Sequence, residues 1–140
     1  MSDASEAFGY FEHQADIGVI GRGATLEAAL ASAAAATFAI MCPPELVQPL
    51  TRLAVEFEEP DAEFALVSWL NLLLAHAREQ GLVLGRFVLR RHGDRWQGDA
   101  WGEPWNASHA RGTEVKGATL TMLSVGRRDG GWEARCVVDV

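Results

Sequence analysis

Basic residues are scarce in this chain. Twelve Lys and Arg stand against nineteen Asp and Glu, a formal charge of −7 over 140 residues, which argues against a protein whose main affinity is for a phosphate backbone. Any nucleic-acid role is therefore expected to run through a partner. Cysteine is sparser still. Cys42 and Cys136 are the only two, they form no CxxC pair, and two free, buried thiols in a reducing compartment are expected. Long apolar runs are also missing: Ala28 to Met41 is too short to span a bilayer and is interrupted by Ser32 and Thr37. The opening residues Met1-Ser2-Asp3-Ala4-Ser5-Glu6 lack the basic and apolar segments of a secretory signal. A cytoplasmic protein is the expectation, with residues 1–7 an unstructured lead-in.

Catalytic signatures are absent as well. No GxSxG elbow, P-loop, GxGxxG or HExxH occurs, and neither cysteine has a base beside it in sequence to activate it. What the chain has is apolar content, 49% of its residues, enough for one domain with a sizeable core and no disulfide or structural metal. No internal repeat, low-complexity tract or linker suggests a second domain.

Alternation from Phe8 to His13 predicts a strand, followed at once by a second over Ile17 to Gly21. Thr25 can cap a helix whose apolar stripe runs through Leu26, Leu30, Ala33, Phe38 and Met41 and stops at Pro43-Pro44. Its many alanines suit close packing on a sheet. Leu50 to Glu58 alternates as a strand, Asp61 caps a second helix, and Gly81 ends it. Strands are then expected at about Leu84–Arg91, Arg95–Trp101, Val115–Arg127 and Trp132–Asp139, with turns at His92-Gly93-Asp94 and Asp129-Gly130-Gly131. The pattern predicts an α+β single domain: two helices packed on one main, mixed and mainly antiparallel sheet.

Two carboxylates carry the most chemistry. Asp16 falls at the junction of the first two strands, and Asp139 is next to last, so a terminal strand sets its side chain beside the α-carboxylate of Val140. If the fold brings Asp16 to them, the three make an oxygen-rich site for Mg²⁺, Mn²⁺ or Ca²⁺. The ordinary readings are a turn-capping Asp16 and a solvated chain end at Asp139. His13 reads either as a ligand or orienting donor or as a half-buried structural residue on the face of Phe11. Glu103 and Lys116 suit a surface ion pair, across the rim or with each other. One of Trp101 and Trp105 is expected in the core.

The run Tyr10-Phe11-Glu12-His13-Gln14-Ala15-Asp16-Ile17-Gly18, then Thr25-Leu26-Glu27-Ala28-Ala29, closely resembles the start of the archease family. Val67-Ser68-Trp69-Leu70-Asn71-Leu72-Leu73, Trp101-Gly102-Glu103-Pro104, Thr113-Glu114-Val115-Lys116 and Val137-Val138-Asp139-Val140 resemble later family segments in the same order. The likeness spans roughly Gly9 to Val140 and is weakest between Met41 and Pro60. It implies an accessory activator of the GTP-dependent RNA ligase that joins 3′-phosphate or 2′,3′-cyclic phosphate ends to 5′-hydroxyl ends in tRNA splicing and RNA repair. It also implies a divalent metal on Asp16, Asp139 and Val140. A monomer is expected because no strongly apolar exposed stripe stands out, and the acidic charge fits a protein that meets RNA only indirectly. His109 lines up with a His frequent in the family, which implies a contact to ligase or RNA end. Gln14 stands where Thr is usual, and Thr121 where the family more often has His, so a role resting on that His does not carry over. A small metal-dependent phosphohydrolase and a chaperone of RNA-processing proteins stay open as alternatives.

Overall fold

The computed structural model describes residues 7–140; all of the expected lead-in except Ala7 lies outside the described residues. The chain runs β1 (Phe8–His13), β2 (Asp16–Gly23), α1 (Leu26–Met41), β3 (Thr51–Glu58), α2 (Ala62–Gln80), β4 (Leu82–His92), β5 (Arg95–Pro104), β6 (Gly117–Ala118), β7 (Ser124–Arg128) and β8 (Gly131–Asp139), with a short 3-10 turn at Pro44–Leu46. The expected α+β class is borne out, with two helices and antiparallel sheets. The strands divide, however, between two sheets rather than forming one. In the larger, β2 lies between β1 and β8, and the far edge of β8 is shared by β6 and β7; the smaller has β5 between β3 and β4. Every pairing in both is antiparallel.

The helices begin and end where their caps dictate. The Thr25 hydroxyl accepts the Ala28 N–H ahead of α1, and the Asp61 carboxylate accepts the N–H groups of Glu63 and Phe64 ahead of α2. Gly81 closes α2 in the left-handed region at φ 68°, a conformation a side chain disfavours.

Helix α1 explains why there are two sheets. Ala29, Leu30, Ala33, Ala34, Ala36, Thr37 and Phe38 are all buried, more of the circumference than one stripe provides. One flank lies on β2 and β8 and the other on β4, where Phe38 meets Phe87 with ring centroids 5.3 Å apart. The approach to β2 is close because Gly21 has no side chain: a Cβ there would sit 2.2 Å from the Ala29 carbonyl oxygen and 2.3 Å from the Ala33 nitrogen. Trp69 of α2 joins the layers, its ring over Gly98 of β5 and its Nε1–H donating to the Leu30 carbonyl at 3.0 Å. The expected strand Val115–Arg127 is broken, because the chain leaves β8 after Ala118 and turns at residues 120–123 before returning as β7. Trp69 and Trp96 are the fully buried tryptophans, whereas Trp101 and Trp105 are both half-buried under Arg86 and Arg111.

Replacing Gly21 by Ala is expected to destabilise the protein by about 1–3 kcal/mol, the cost of forcing an extra carbon into packed backbone. Gly126→Ala, in open space, is the control. Urea midpoints measure both, and equal midpoints would contradict the close α1–β2 contact.

Candidate functional site

The pairing of β2 with β8 brings the two ends of the described chain together. Ile17 opposes Val138 and Gly18 opposes Val137; continuing that register by one step sets Asp16 opposite Asp139, and the Val140 N–H donates to Asp16 Oδ1 at 3.3 Å. Residues directly opposite on antiparallel strands share a face, with Cβ atoms about 5 Å apart. His13 joins them, because the two-residue loop Gln14-Ala15 makes His13 and Asp16 the last pair of the β1–β2 hairpin. On the other side of β8, Gly117 pairs with Asp139 and the Lys116 N–H donates to the Asp139 carbonyl at 2.7 Å. Asp139 is thus held between two strands while its own side chain is exposed. Asp16 and His13 are half-buried.

Among the described residues neither Asp16 nor Asp139 has a Lys, Arg or His ion-pair partner. The observed contact at this corner is the single Val140 N–H to Asp16 bond. Among the described residues no three His, Cys, Asp or Glu side chains stand together as a metal cage.

The other candidates lie elsewhere. Glu103 and His109 form a buried pair, Oε2 to Nε2 at 2.8 Å. Glu103 Oε2 also accepts the Gln48 N–H at 2.9 Å, and His109 Nδ1 accepts the Asn106 N–H at 3.0 Å. That second bond leaves Nδ1 without a proton, so His109 is the neutral Nε2–H tautomer donating to Glu103. Both nitrogens are engaged and the side chain is fully enclosed. His109 therefore pins the loop after β5 and is not offered to a partner. The anticipated Glu103–Lys116 pair does not form, since Glu103 is turned inward while Lys116 is exposed beside Asp139. The same loop carries Arg111 over the Trp105 ring at 3.9 Å and is fastened to the end of α1 by Gly112 and Thr113 N–H groups. Beneath it lies a cavity of about 380 Å³ walled by Phe38, Met41, Leu74 and Val115.

Neither cysteine is poised as a thiolate. Burial pushes the Cys136 thiol up to about 12 and raises that of Cys42, so both stay protonated at neutral pH. Among the described residues no helix is long and apolar enough to cross a membrane.

Comparison with known proteins bears directly on this corner. The model of the Archease protein family (MTH1598/TM1083) matches residues 8–140, a span that includes both ends of the carboxylate site. The chain belongs to the archease family. Protein archease of Thermococcus kodakarensis is 36% identical over 137 residues, covering 94% of this chain and 96% of that one. That of Sulfolobus acidocaldarius is 33% identical, covering 95% and 98%. The solution structure of Methanobacterium thermoautotrophicum protein 1598 superposes with a TM-score of 0.80 at 29% identity, over 96% of this chain and 99% of that one. A Thermotoga maritima archease, described as a possible chaperone, has the same fold at a TM-score of 0.66 and 20% identity, over 93% and 94%.

The Gln48 N–H, then the His109 bond, hold the Glu103 carboxyl below its ordinary value. Its stabilisation is complete above the unfolded value near pH 4.3 and is lost as pH falls through the lower folded value. Glu103→Gln is expected to unfold more easily at neutral pH and to lose less stability on acidification. Denaturant midpoints across that window test this, and parallel curves would contradict it.

Proposed function

We propose that this archease is an accessory activator of a GTP-dependent RNA ligase, promoting its guanylylation and repeated turnover as a protein cofactor with no reaction of its own. The supporting observation is the meeting of Asp16, Asp139 and Val140 without a neutralising side chain among the described residues. A divalent ion held by these carboxylates would neutralise phosphate charge during guanylyl transfer. The chain's own part is positioning. Val140 N–H orients the Asp16 carboxylate, strands β2 and β6 clamp the backbone on either side of Asp139, and the His13 ring stands at the same rim. With two side-chain donors and a chain end, the corner leaves room for phosphate oxygens from the ligase's substrate.

The overall charge of −7 favours encounter with a ligase channel that must be basic to hold RNA, and the attraction weakens as salt screens it. RNA is then reached through the ligase rather than gripped directly.

Asp16→Asn keeps an oxygen to accept the Val140 N–H but removes the charge. It and Asp139→Ala are expected to lower stimulated multiple-turnover ligation at least roughly tenfold, a loss that even outer partners of metal ligands produce, with little change in melting temperature. Undiminished stimulation by both would remove the mechanism. Suppressed aggregation of unrelated clients, indifferent to Asp16 and Asp139, would point to a chaperone. Phosphoester turnover by the protein alone, proportional to added metal, would point to a hydrolase.

A further inference from the structure

Strand β6 is only two residues long, against roughly three to ten for most strands, yet it closes the outer side of Asp139. Gly117 pairs with Asp139 and Ala118 with Val138. The Lys116 N–H donates to the Asp139 carbonyl at 2.7 Å, and the Thr119 N–H to the Val137 carbonyl at 3.0 Å. So short a ladder needs support from its other edge.

Helix α2 supplies that support. The Ala118 N–H donates to Asn71 Oδ1 at 2.8 Å, and Asn71 Nδ2 donates to the Ala118 carbonyl at 3.2 Å. One side-chain amide thus takes both backbone groups of one residue, as a neighbouring strand would. Gly117 leaves room for it, since a Cβ there would lie 3.2 Å from Asn71 Oδ1. Two turns later on the same face of α2, Arg78 Nη2 adds longer bonds to the Val115 and Lys116 carbonyls, at 3.4 and 3.3 Å. Asparagine is a weak helix former because its amide competes for backbone groups. Here it stands in mid-helix among Leu70, Leu72, Leu73 and Leu74, and the backbone it engages belongs to β6.

We propose that Asn71 is a positioning residue for the carboxylate corner, acting through β6 and β8. The inference rests on the function proposed above and deepens it by naming what holds Asp139 in place. Without the amide, the Ala118 N–H and carbonyl lose their partners, and only the longer Arg78 bonds still brace this edge of β6. Loosening of β6 frees the Asp139 carbonyl from Lys116, and with it the next residue, whose N–H orients Asp16. The core of α2 is built by other side chains, among them Leu66, Trp69, Leu70 and Leu73. Loss of the amide therefore acts on the corner before it acts on the fold.

The test compares the full chain with its Asn71→Ala variant, which removes the amide and favours the helix. Amide hydrogen exchange followed by NMR is expected to quicken about tenfold at Lys116 and Thr119 while the amides of β3 and β5 keep their rates, as local opening requires. The Val140 amide resonance is expected to move toward its unstructured position, a change that a role confined to the helix would not produce. Stimulated multiple-turnover ligation is expected to fall about tenfold, the loss typical of residues that orient ligands rather than supply them. An unchanged Lys116 rate and Val140 resonance, or undiminished stimulation despite both changes, would overturn the positioning role and leave the proposed function standing. Faster exchange spread evenly over both sheets would mark lost global stability and overturn it as well. Failure of the unaltered protein to stimulate the ligase would overturn that function, and the positioning role with it.

Discussion

The antiparallel pairing of β2 with β8 governs what the rest of this molecule can do. It closes a loop of 124 positions between Asp16 and Val140 and sets two acids from opposite ends of the sequence on one face. Register is decisive. A slip of one residue along β8 would turn Asp139 to the far side of the sheet while moving Cys136 and Val138 out of the core. The apolar alternation that buries Val19, Ala134, Cys136 and Val138 is therefore also what holds the carboxylates together, so the core and the candidate site share one constraint.

Helix α1 transmits that constraint to the second sheet. An ordinary surface helix has one buried stripe, but this one is apolar around most of its circumference and is gripped by β2 and β8 on one side and β4 on the other. Alanines and Gly21 set the spacing on the large-sheet side, and the Phe38–Phe87 contact fills the other. Trp69 then ties α2 to α1 through a buried hydrogen bond. Small residues permit the approach, and a few large ones fill the remaining volume.

Acidic side chains in this fold have opposite roles according to what faces them. Glu103 is turned inward, neutralised by donors, and anchors a loop. Asp16 and Asp139 stand at a strand corner with a single backbone donor between them. Glu133 accepts from Arg128 and Arg135, forms an ion pair with Arg22, and is buried under them. Of these, only the corner pair among the described residues has neither a Lys or Arg partner nor a side-chain donor, which is why the proposed chemistry is assigned there.

Local signals were legible in the letters: both helix caps, the stop at Gly81, the alternation of β3, β5 and β8, and the hairpin turns at Gly93 and Gly130 each arise from a few neighbouring residues. The family likeness extended that reading to which acids matter. Less accessible were the division into two sheets and the break after Ala118, because both depend on which surfaces α1 covers rather than on any period within a strand. The enclosed Glu103–His109 pair was hidden for a similar reason, since its decisive partners are backbone N–H groups of Gln48 and Asn106, and a one-letter sequence does not distinguish one N–H from another. By itself the sequence determined both helices, their caps and most of the strands, since short-range sterics and hydrogen bonds set these. Only the tertiary structure decided that Asp16 meets Asp139, because cross-strand register is fixed by burial summed over the whole core.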